Sequence, residues 1–401
     1  MTTAITPEQQ AEHRAWLREL TGLPTAAGRE WRVVRWVERW ASARPGVVIE
    51  PDPSGNLVIR LEGPMEPGPG APGGLWLTAH LDHPAFVVER VDSPVEVVAS
   101  FRGGVMPAYF AGSRVRAFTG EPHRSIGGFV EGRDGEMALG ELWRLRLDEA
   151  TSDLIPGDIA RWDLPDAFER DGLLFTHACD DLAALAASLA AFDVWRLSRR
   201  AEPGREGRAL RLLLTRAEEV GFIGAIAACK HGTVPPGARV IALENSRASA
   251  DSPVGDGPIV RVGDRLSVFH PGLTGAIAAR AEEVFGPAAA RPPAAGSERP
   301  RWQRKLMSGG ACESSVFRAY GHEAGCVCLA LGNYHNMGDL DAVQGGTNTS
   351  PPAPAPEFIS LRDFDGMVEL LAACAERLPE GDPVLPLVGR LWLQRSGVLD
   401  Q

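Results

Sequence analysis

Four short, mostly apolar runs each end at or near a side chain able to bind a metal ion. LWLTA (75–79) stops at His80, with Asp82 two residues on. LRLLLT (210–215) leads through Arg216-Ala217 to Glu218-Glu219, VIAL (240–243) stops at Glu244, and CVCLAL (326–331) leads through Gly332-Asn333-Tyr334 to His335. A further acidic pair, Asp180-Asp181, opens a helical stretch. Apolar runs this short, bounded by turn residues, read as buried strands. The stretches between them have helical character: DDLAALAASLAAFDVWRL after Asp180, GFIGAIAACK from Gly221 and PGLTGAIAARAEEVF from Pro271. In the last, SLRDFDGMVELLAACAERL, Phe364, Met367, Val368 and Leu371 fall at i, i+3, i+4 and i+7. This alternation predicts an α/β fold, and in open α/β sheets ligands bind at the carboxyl ends of the strands.

Each of these groups has a plainer use when taken alone. Asp180 and Asp181 could serve the positive end of a helix dipole, and Glu218-Glu219 could be a solvated turn. Gathered at one sheet edge they have no such use, because neighbouring carboxylates repel unless a cation or a proton lies between them. Two histidines with three or more carboxylates are suitable ligands for a pair of divalent ions.

The rest of the chain divides by pattern. Thr6-Pro7-Glu8-Gln9 reads as a capped helix start, and Val33, Val34, Trp36, Val37 and Trp40 lie on one face of a second helix. Gly55-Asn56 is a turn before the strand-like LVIRL. Residues 86–170 lack helical periodicity and consist of short apolar pieces broken by glycine and proline, a β-rich pattern. The expected organisation is a catalytic α/β part in 1–85, an inserted β-rich domain in 86–170, and the second catalytic part in 171–401. Segments 62–74, 199–208 and 286–300 read as surface loops, as does the Pro/Gly/Thr-rich stretch from Gly345 to Pro356, and no internal repeat is present.

Composition narrows the class of function. A net charge of −11 over 401 residues lacks the basic face of a nucleic-acid binder. The charge-free stretch Leu182–Phe192 is far below the roughly 20 residues of a membrane span. The polar start MTTAITPEQQAEHRAW has no signal-peptide core, so a cytoplasmic protein with no membrane role is expected. None of the six cysteines forms a CxxC pair, which argues against a cysteine zinc site. Reduced, buried thiols are expected, with Cys326 and Cys328 on opposite faces of one strand.

The blocks TAHLDHPAF, HACDDLAAL, LLTRAEEVGFIGA, IALENSRASADSP and GNYH resemble, in this order, the signature blocks of the co-catalytic di-zinc exopeptidases. Order and spacing are most similar to the glutamyl aminopeptidase or TET-type family (M42), related to the M20 and M28 peptidases. His80 and Asp180 are 100 residues apart with the β-rich stretch between them, and Glu244 and His335 are 91 apart. M20 enzymes typically carry their extra domain in the later interval; the M42 arrangement has it in the earlier one, as here. PGDIARW before HACDDL resembles the M42 exit from that insertion.

The resemblance implies a phosphorylase/hydrolase-like mixed sheet flanked by helices, with a small inserted β-barrel-like domain. It implies a metallopeptidase, an aminopeptidase acting on short peptides or amino-acid amides, with two divalent metal ions: zinc, or alternatively cobalt or manganese. His80 and Glu244 would hold one ion, Glu219 and His335 the other, and Asp180 would bridge them. Glu218 would be the general base, and Asp82 would fix the tautomer of His80. The aspartate pair at Asp180-Asp181 often contains a cis peptide bond in these families. A homo-oligomer also fits, with His123 in a Pro-His pair near a subunit contact.

Three departures bear on substrate. Glu244 stands where M42 members usually have aspartate, and glutamate there goes more often with carboxypeptidases and deacylases among M20 relatives. An M20-like carboxypeptidase or N-acyl-amino-acid amidohydrolase is therefore the alternative, with a catalytically silent homologue behind it. His83 replaces an acid, and Cys312-Glu313 replaces Thr-Asp in the block Gly309–Glu313. His13, His231 and His322 read as surface residues. His177 could support Asp180, and Arg301, Arg304 and Lys305 could either meet a substrate carboxylate or form a solvated loop.

Overall fold

A computed structural model describes residues 5–63, 73–120, 124–201, 209–288, 298–379 and 384–400. His123 and most of the expected surface loops, including 64–72, 202–208 and 289–297, lie outside the described residues.

The four ligand-bearing runs become neighbouring strands at the centre of one eight-stranded sheet. Leu210–Thr215, Leu75–His80, Arg239–Arg247 and Glu323–Leu331 pair in that order, all parallel. Parallel pairing brings their carboxyl ends to the same edge, with His80 opposite Thr215 and Glu244 opposite Cys328. Every residue of Leu75–His80 is buried, as a strand covered on both faces requires. Leu57–Leu61 and Val47–Pro51 extend the sheet antiparallel on one side. On the other, Ile259–Gly263 runs antiparallel to Glu323–Leu331 and parallel to Gln303–Leu306.

The helix Cys179–Ala201 lies across one face of the sheet. Its alanine-rich middle, 182–192, is buried all round, because the helices Pro7–Thr21 and Leu361–Glu376 cover its outer side. Small side chains allow such close layering of helix on sheet. The first helix carries the expected capping box between Thr6 and Gln9. Ile223–His231 and Glu313–Ala319 pack over the other face, around Trp76, Leu213 and Phe317.

Six strands between Ala85 and Trp162 close into an antiparallel barrel: Ala85–Ser93, Glu96–Arg102, Gly140–Leu147, Ser125–Met137, Arg114–Phe118 and Ile159–Trp162 in order round it. Its interior is filled by Phe86, Phe101, Phe110, Trp143 and Trp162, with Phe110 stacked on Trp143 at 4.1 Å. After the barrel, Phe168–Arg170 and Leu173–Thr176 form a small sheet with Glu357–Ser360. At the far end of the chain, the helix Leu385–Arg395 has no buried residue.

Two expectations from the sequence are corrected. Cys326 and Cys328 do not face opposite ways: both join one cluster with Cys312 and Ala330, as a two-residue side-chain period demands. His13 is not a surface residue but is buried against Trp16, with ring centroids 5.1 Å apart. Of the other two, His231 is exposed and His322 is half-buried.

Burial pushes the His13 imidazole down to about 4. The unfolded chain takes up that proton near pH 6.5 and the native state does not, so stability falls as pH drops from about 6.5 to 4. His13→Leu should remove roughly one proton from this dependence, about 3 kcal/mol across the window. Urea midpoints measured from pH 7 to pH 4 test this; parallel curves for the two proteins would refute the assignment.

Candidate metal centre

The sheet edge receives its polar groups through turns that ordinary backbone does not make. Ala217, just before Glu218, and Asn333, His335 and Asn336 all have φ between 52° and 60°, a region that non-glycine residues seldom occupy. These left-handed residues turn Glu218-Glu219 and His335 back over the strand ends. Glu244 is carried differently, because its strand continues to Arg247 and presents the side chain before its end. Asp180 comes from the opening of the long helix, and the Asp180-Asp181 peptide bond is cis.

Seven side chains from these segments and from the end of Leu75–His80 converge. The two carboxylate oxygens of Asp180 face different imidazoles: Oδ1 is 3.5 Å from His80 Nε2, and Oδ2 is 3.4 Å from His335 Nε2. Glu219 Oε1 stands 3.6 Å from His335 Nε2. Ligand atoms of His80, Asp180, Asp181 and Glu244 lie within 4.8 Å of one another, and so do those of Asp180, Glu219 and His335. Glu218 joins His80 and Glu219 in a third such group, its Oε2 4.0 Å from His80 Nε2.

These spacings are long for hydrogen bonds. They suit ligands of a shared ion, because two donors bound at about 2.1 Å with a tetrahedral angle stand about 3.4 Å apart. A second observation agrees. Asp180 Oδ1, Asp181 Oδ1, Glu219 Oε1 and Glu244 Oε1 are all buried with no hydrogen-bond partner. Buried carboxylate oxygens without donors are strongly unfavourable unless a cation compensates them. The residues present fit a divalent metal ion.

The rings are oriented for ligation. His80 Nδ1 is 3.1 Å from the Asp82 carbonyl oxygen, and His335 Nδ1 is 2.6 Å from that of Gly104. A carbonyl only accepts, so the proton sits on Nδ1 in each ring and Nε2 is free for a metal. Gly104 belongs to the barrel segment, which thus orients the His335 ring. The Asp82 carboxylate is farther from His80, at 3.5 Å. It instead accepts the backbone N–H groups of Glu218 and Glu219, at 3.0 and 3.1 Å.

The electrostatics reflect crowding. Burial and mutual repulsion raise Glu218, Glu219, Glu244 and Asp181 well above the usual carboxylate range. Burial works to raise Asp180 too, but contact with the two imidazoles outweighs it and draws the group below its ordinary value. Burial by itself would lower His80; Glu218, Asp180 and Asp82 outweigh it and hold the imidazole well above its ordinary value.

Several residues around the centre carried little sequence signal. Asp181 Oδ2 accepts the His80 backbone N–H at 3.1 Å. Glu313 lies beneath the strand ends, where Thr78 Oγ1 donates to it at 2.7 Å. Glu357 is fully buried between Asp180 and His335; a lone glutamate opening a four-residue strand after a proline-rich stretch offers nothing to single it out. His83 contacts the Asp180 carbonyl and is 3.0 Å from Asn336 Oδ1, so this departure from the family pattern is a packed, hydrogen-bonded residue. His177 turns its ring to the Trp162 carbonyl, 2.7 Å away, and Arg301 pairs with Glu369 at 3.2 Å.

The chain matches no protein-family model and no curated protein sequence. Its fold is nevertheless shared with solved structures. It is similar to an aminopeptidase from the archaeon Desulfurococcus kamchatkensis (TM-score 0.68, 20% identity, covering 92% of this chain and 95% of that one). It is similar also to the TET1 peptidase of Pyrococcus horikoshii (0.66, 17%, 91% and 100%), and to a TET aminopeptidase from a marine-sediment Thaumarchaeota archaeon (0.66, 16%, 92% and 97%). The expected resemblance to TET-type structures therefore holds at the level of fold.

Since Glu219, Glu244 and His80 hold protons in the metal-free protein at higher pH than usual, a metal ion must displace them. Metal affinity should rise with pH, and binding should release protons. Calorimetric titration of the stripped protein with zinc, in buffers of differing ionisation enthalpy, measures this. Binding with no buffer-dependent heat would contradict the described electrostatics.

Proposed function

We propose that this chain is a di-metal exopeptidase that removes N-terminal residues from short peptides. The observation that carries this reading is Asp180, whose two oxygens address His80 and His335 separately. His80 and Glu244 would hold one divalent ion, Glu219 and His335 would hold the other, and Asp180 would be shared between them. Zinc suits this mixed nitrogen and oxygen set, with cobalt or manganese as alternatives.

Divalent ions bound there supply Lewis acidity, lowering the pKa of water and polarising a carbonyl. The rest of the chemistry belongs to the protein. Glu218 accepts a proton from the attacking water and returns it to the leaving amine nitrogen. Burial keeps its carboxyl above the usual range, so the group can hold that proton between the two steps. Asp82 fixes Glu218 and Glu219 through their backbone N–H groups. Beside Glu219, a cavity of about 300 Å³ is walled by Phe101, Val105, Phe110, Leu139 and Val220. Its apolar residues suit the side chain of an N-terminal residue, and Glu141 and Glu219 add carboxylates to the lining.

A homo-oligomer belongs to the same reading. The TET1 peptidase of similar fold can assemble into a tetrahedron or a large octahedral shell. Here Val384, Leu385, Leu387, Val388, Leu391, Trp392, Leu393, Val398 and Leu399 are all exposed, an apolar surface that a second copy can cover.

Glu218→Gln preserves shape and removes the base. Metal content should stay near normal while turnover falls roughly 10²–10⁴-fold; near wild-type turnover in a metal-replete variant would reject the role. A panel of aminoacyl amides and N-acyl amino acids, run with zinc, cobalt or manganese, should show cleavage of leucyl and phenylalanyl amides. Cleavage of the N-acyl amino acids alone would favour the amidohydrolase reading that Glu244 in place of aspartate leaves open.

A further inference from the structure

We propose that Glu357 is the positioning residue that sets the distance between the two halves of the metal centre. The inference rests on the di-metal reading above and assigns a role to a residue that touches no metal.

The Glu357 side chain is fully buried and divides its two oxygens between two ligand-bearing segments. Oε2 accepts the backbone N–H of Asp180 at 3.0 Å, and Oε1 accepts that of His335 at 2.8 Å. The two segments are far apart in the chain and arrive from opposite directions: Asp180 follows the barrel exit, and His335 follows the Glu323–Leu331 strand. Strand pairing sets Glu357 opposite Thr176, four residues before Asp180. The carboxylate is therefore delivered to Asp180 by a backbone ladder, and its other oxygen is free to reach His335.

What it holds there would not hold itself. His335 sits at φ 54°, a left-handed conformation that is unfavourable for a non-glycine residue unless its surroundings compensate. The hydrogen bond to Glu357 fixes the amide of that residue. Asn336 braces the same junction, donating from Nδ2 to the carbonyls of His177 and Ala355 at 2.8 and 3.3 Å. One rigid carboxylate thus fixes both backbones whose side chains face each other as Asp180 Oδ2 and His335 Nε2, 3.4 Å apart. Asp82 does the equivalent for Glu218 and Glu219, but within a single turn; Glu357 spans the centre.

If Glu357 acts by position, its loss weakens metal binding rather than only the fold. Glu357→Gln keeps the volume but offers one acceptor, and sets an amide N–H₂ against the second backbone N–H. Glu357→Asp keeps both oxygens on a stem one methylene shorter. The stripped wild-type protein and both variants are titrated with zinc against a chromophoric chelator, and their metal-free melting temperatures are measured alongside. His335→Ala, which removes a proposed ligand, serves as the reference.

The expected result is a roughly 10–100-fold weaker zinc affinity for Glu357→Gln, with Glu357→Asp between it and wild type. A Glu357→Gln protein that melts lower when metal-free, yet binds zinc within twofold of wild type, overturns the proposal and leaves a purely structural role. If Glu357→Gln does not fold, Glu357→Asp decides alone by the same twofold criterion. Should wild type bind two zinc ions and His335→Ala only one while the Glu357 variants match wild type, the di-metal reading stands and this inference fails. Should wild type bind no zinc, both fall together.

Discussion

Repulsion among buried carboxylates is the constraint to which the rest of this structure answers. Asp82, Asp180, Asp181, Glu218, Glu244, Glu313 and Glu357 are all buried at or beneath one sheet edge, with His80 and His335 among them. Such a cluster opposes folding unless protons, cations or fixed hydrogen-bond donors neutralise it. The chain divides the task. Glu357 and Asp82 spend their oxygens on backbone N–H groups, and Asp181 takes the N–H of His80. Five carboxylate oxygens are left without donors, on Asp180, Asp181, Glu219, Glu244 and Glu313, and the first four belong to groups able to share a metal ion, which would compensate them in place of protons.

This division explains why the surroundings are so rigid. A ligand carboxylate free to swing would relieve its repulsion by reaching water, and the spacing near 3.5 Å would be lost. Covered strands, the buried stretch 179–196 of the long helix and the left-handed turns at Ala217 and His335 prevent that. Positions held in seldom-occupied backbone regions cluster where function requires them, and most of the non-glycine examples among the described residues flank this edge.

The barrel takes part in the same centre. Its Gly104 carbonyl fixes the tautomer of His335, and Phe101, Val105 and Leu139 wall the cavity beside Glu219. It thus provides both an orienting acceptor for His335 and part of the wall of that cavity, and so it is more than a decoration on the α/β core.

Much of this was legible in the linear chain. Period and composition foretold the buried strands of an α/β fold and the β-rich stretch, and the positions at which apolar runs stop marked out His80, Glu218, Glu219, Glu244 and His335. That signal is local, because a buried strand must be apolar and a polar group at its end needs a reason to be there. Glu357 and Asn336 could not be found in this way, since their partners lie elsewhere in the chain and one acidic or amide residue beside a loop resembles any other. His13 was misjudged for the same reason: only packing against Trp16 buries it. The sequence by itself determined the elements and the chemistry each strand end carries, because periodicity and residue type are properties of neighbours in the chain. Only the tertiary structure decided which oxygens lack donors, which rings point Nε2 inward and which carboxylate joins Asp180 to His335, because these depend on distances between segments that meet only when the sheet has formed.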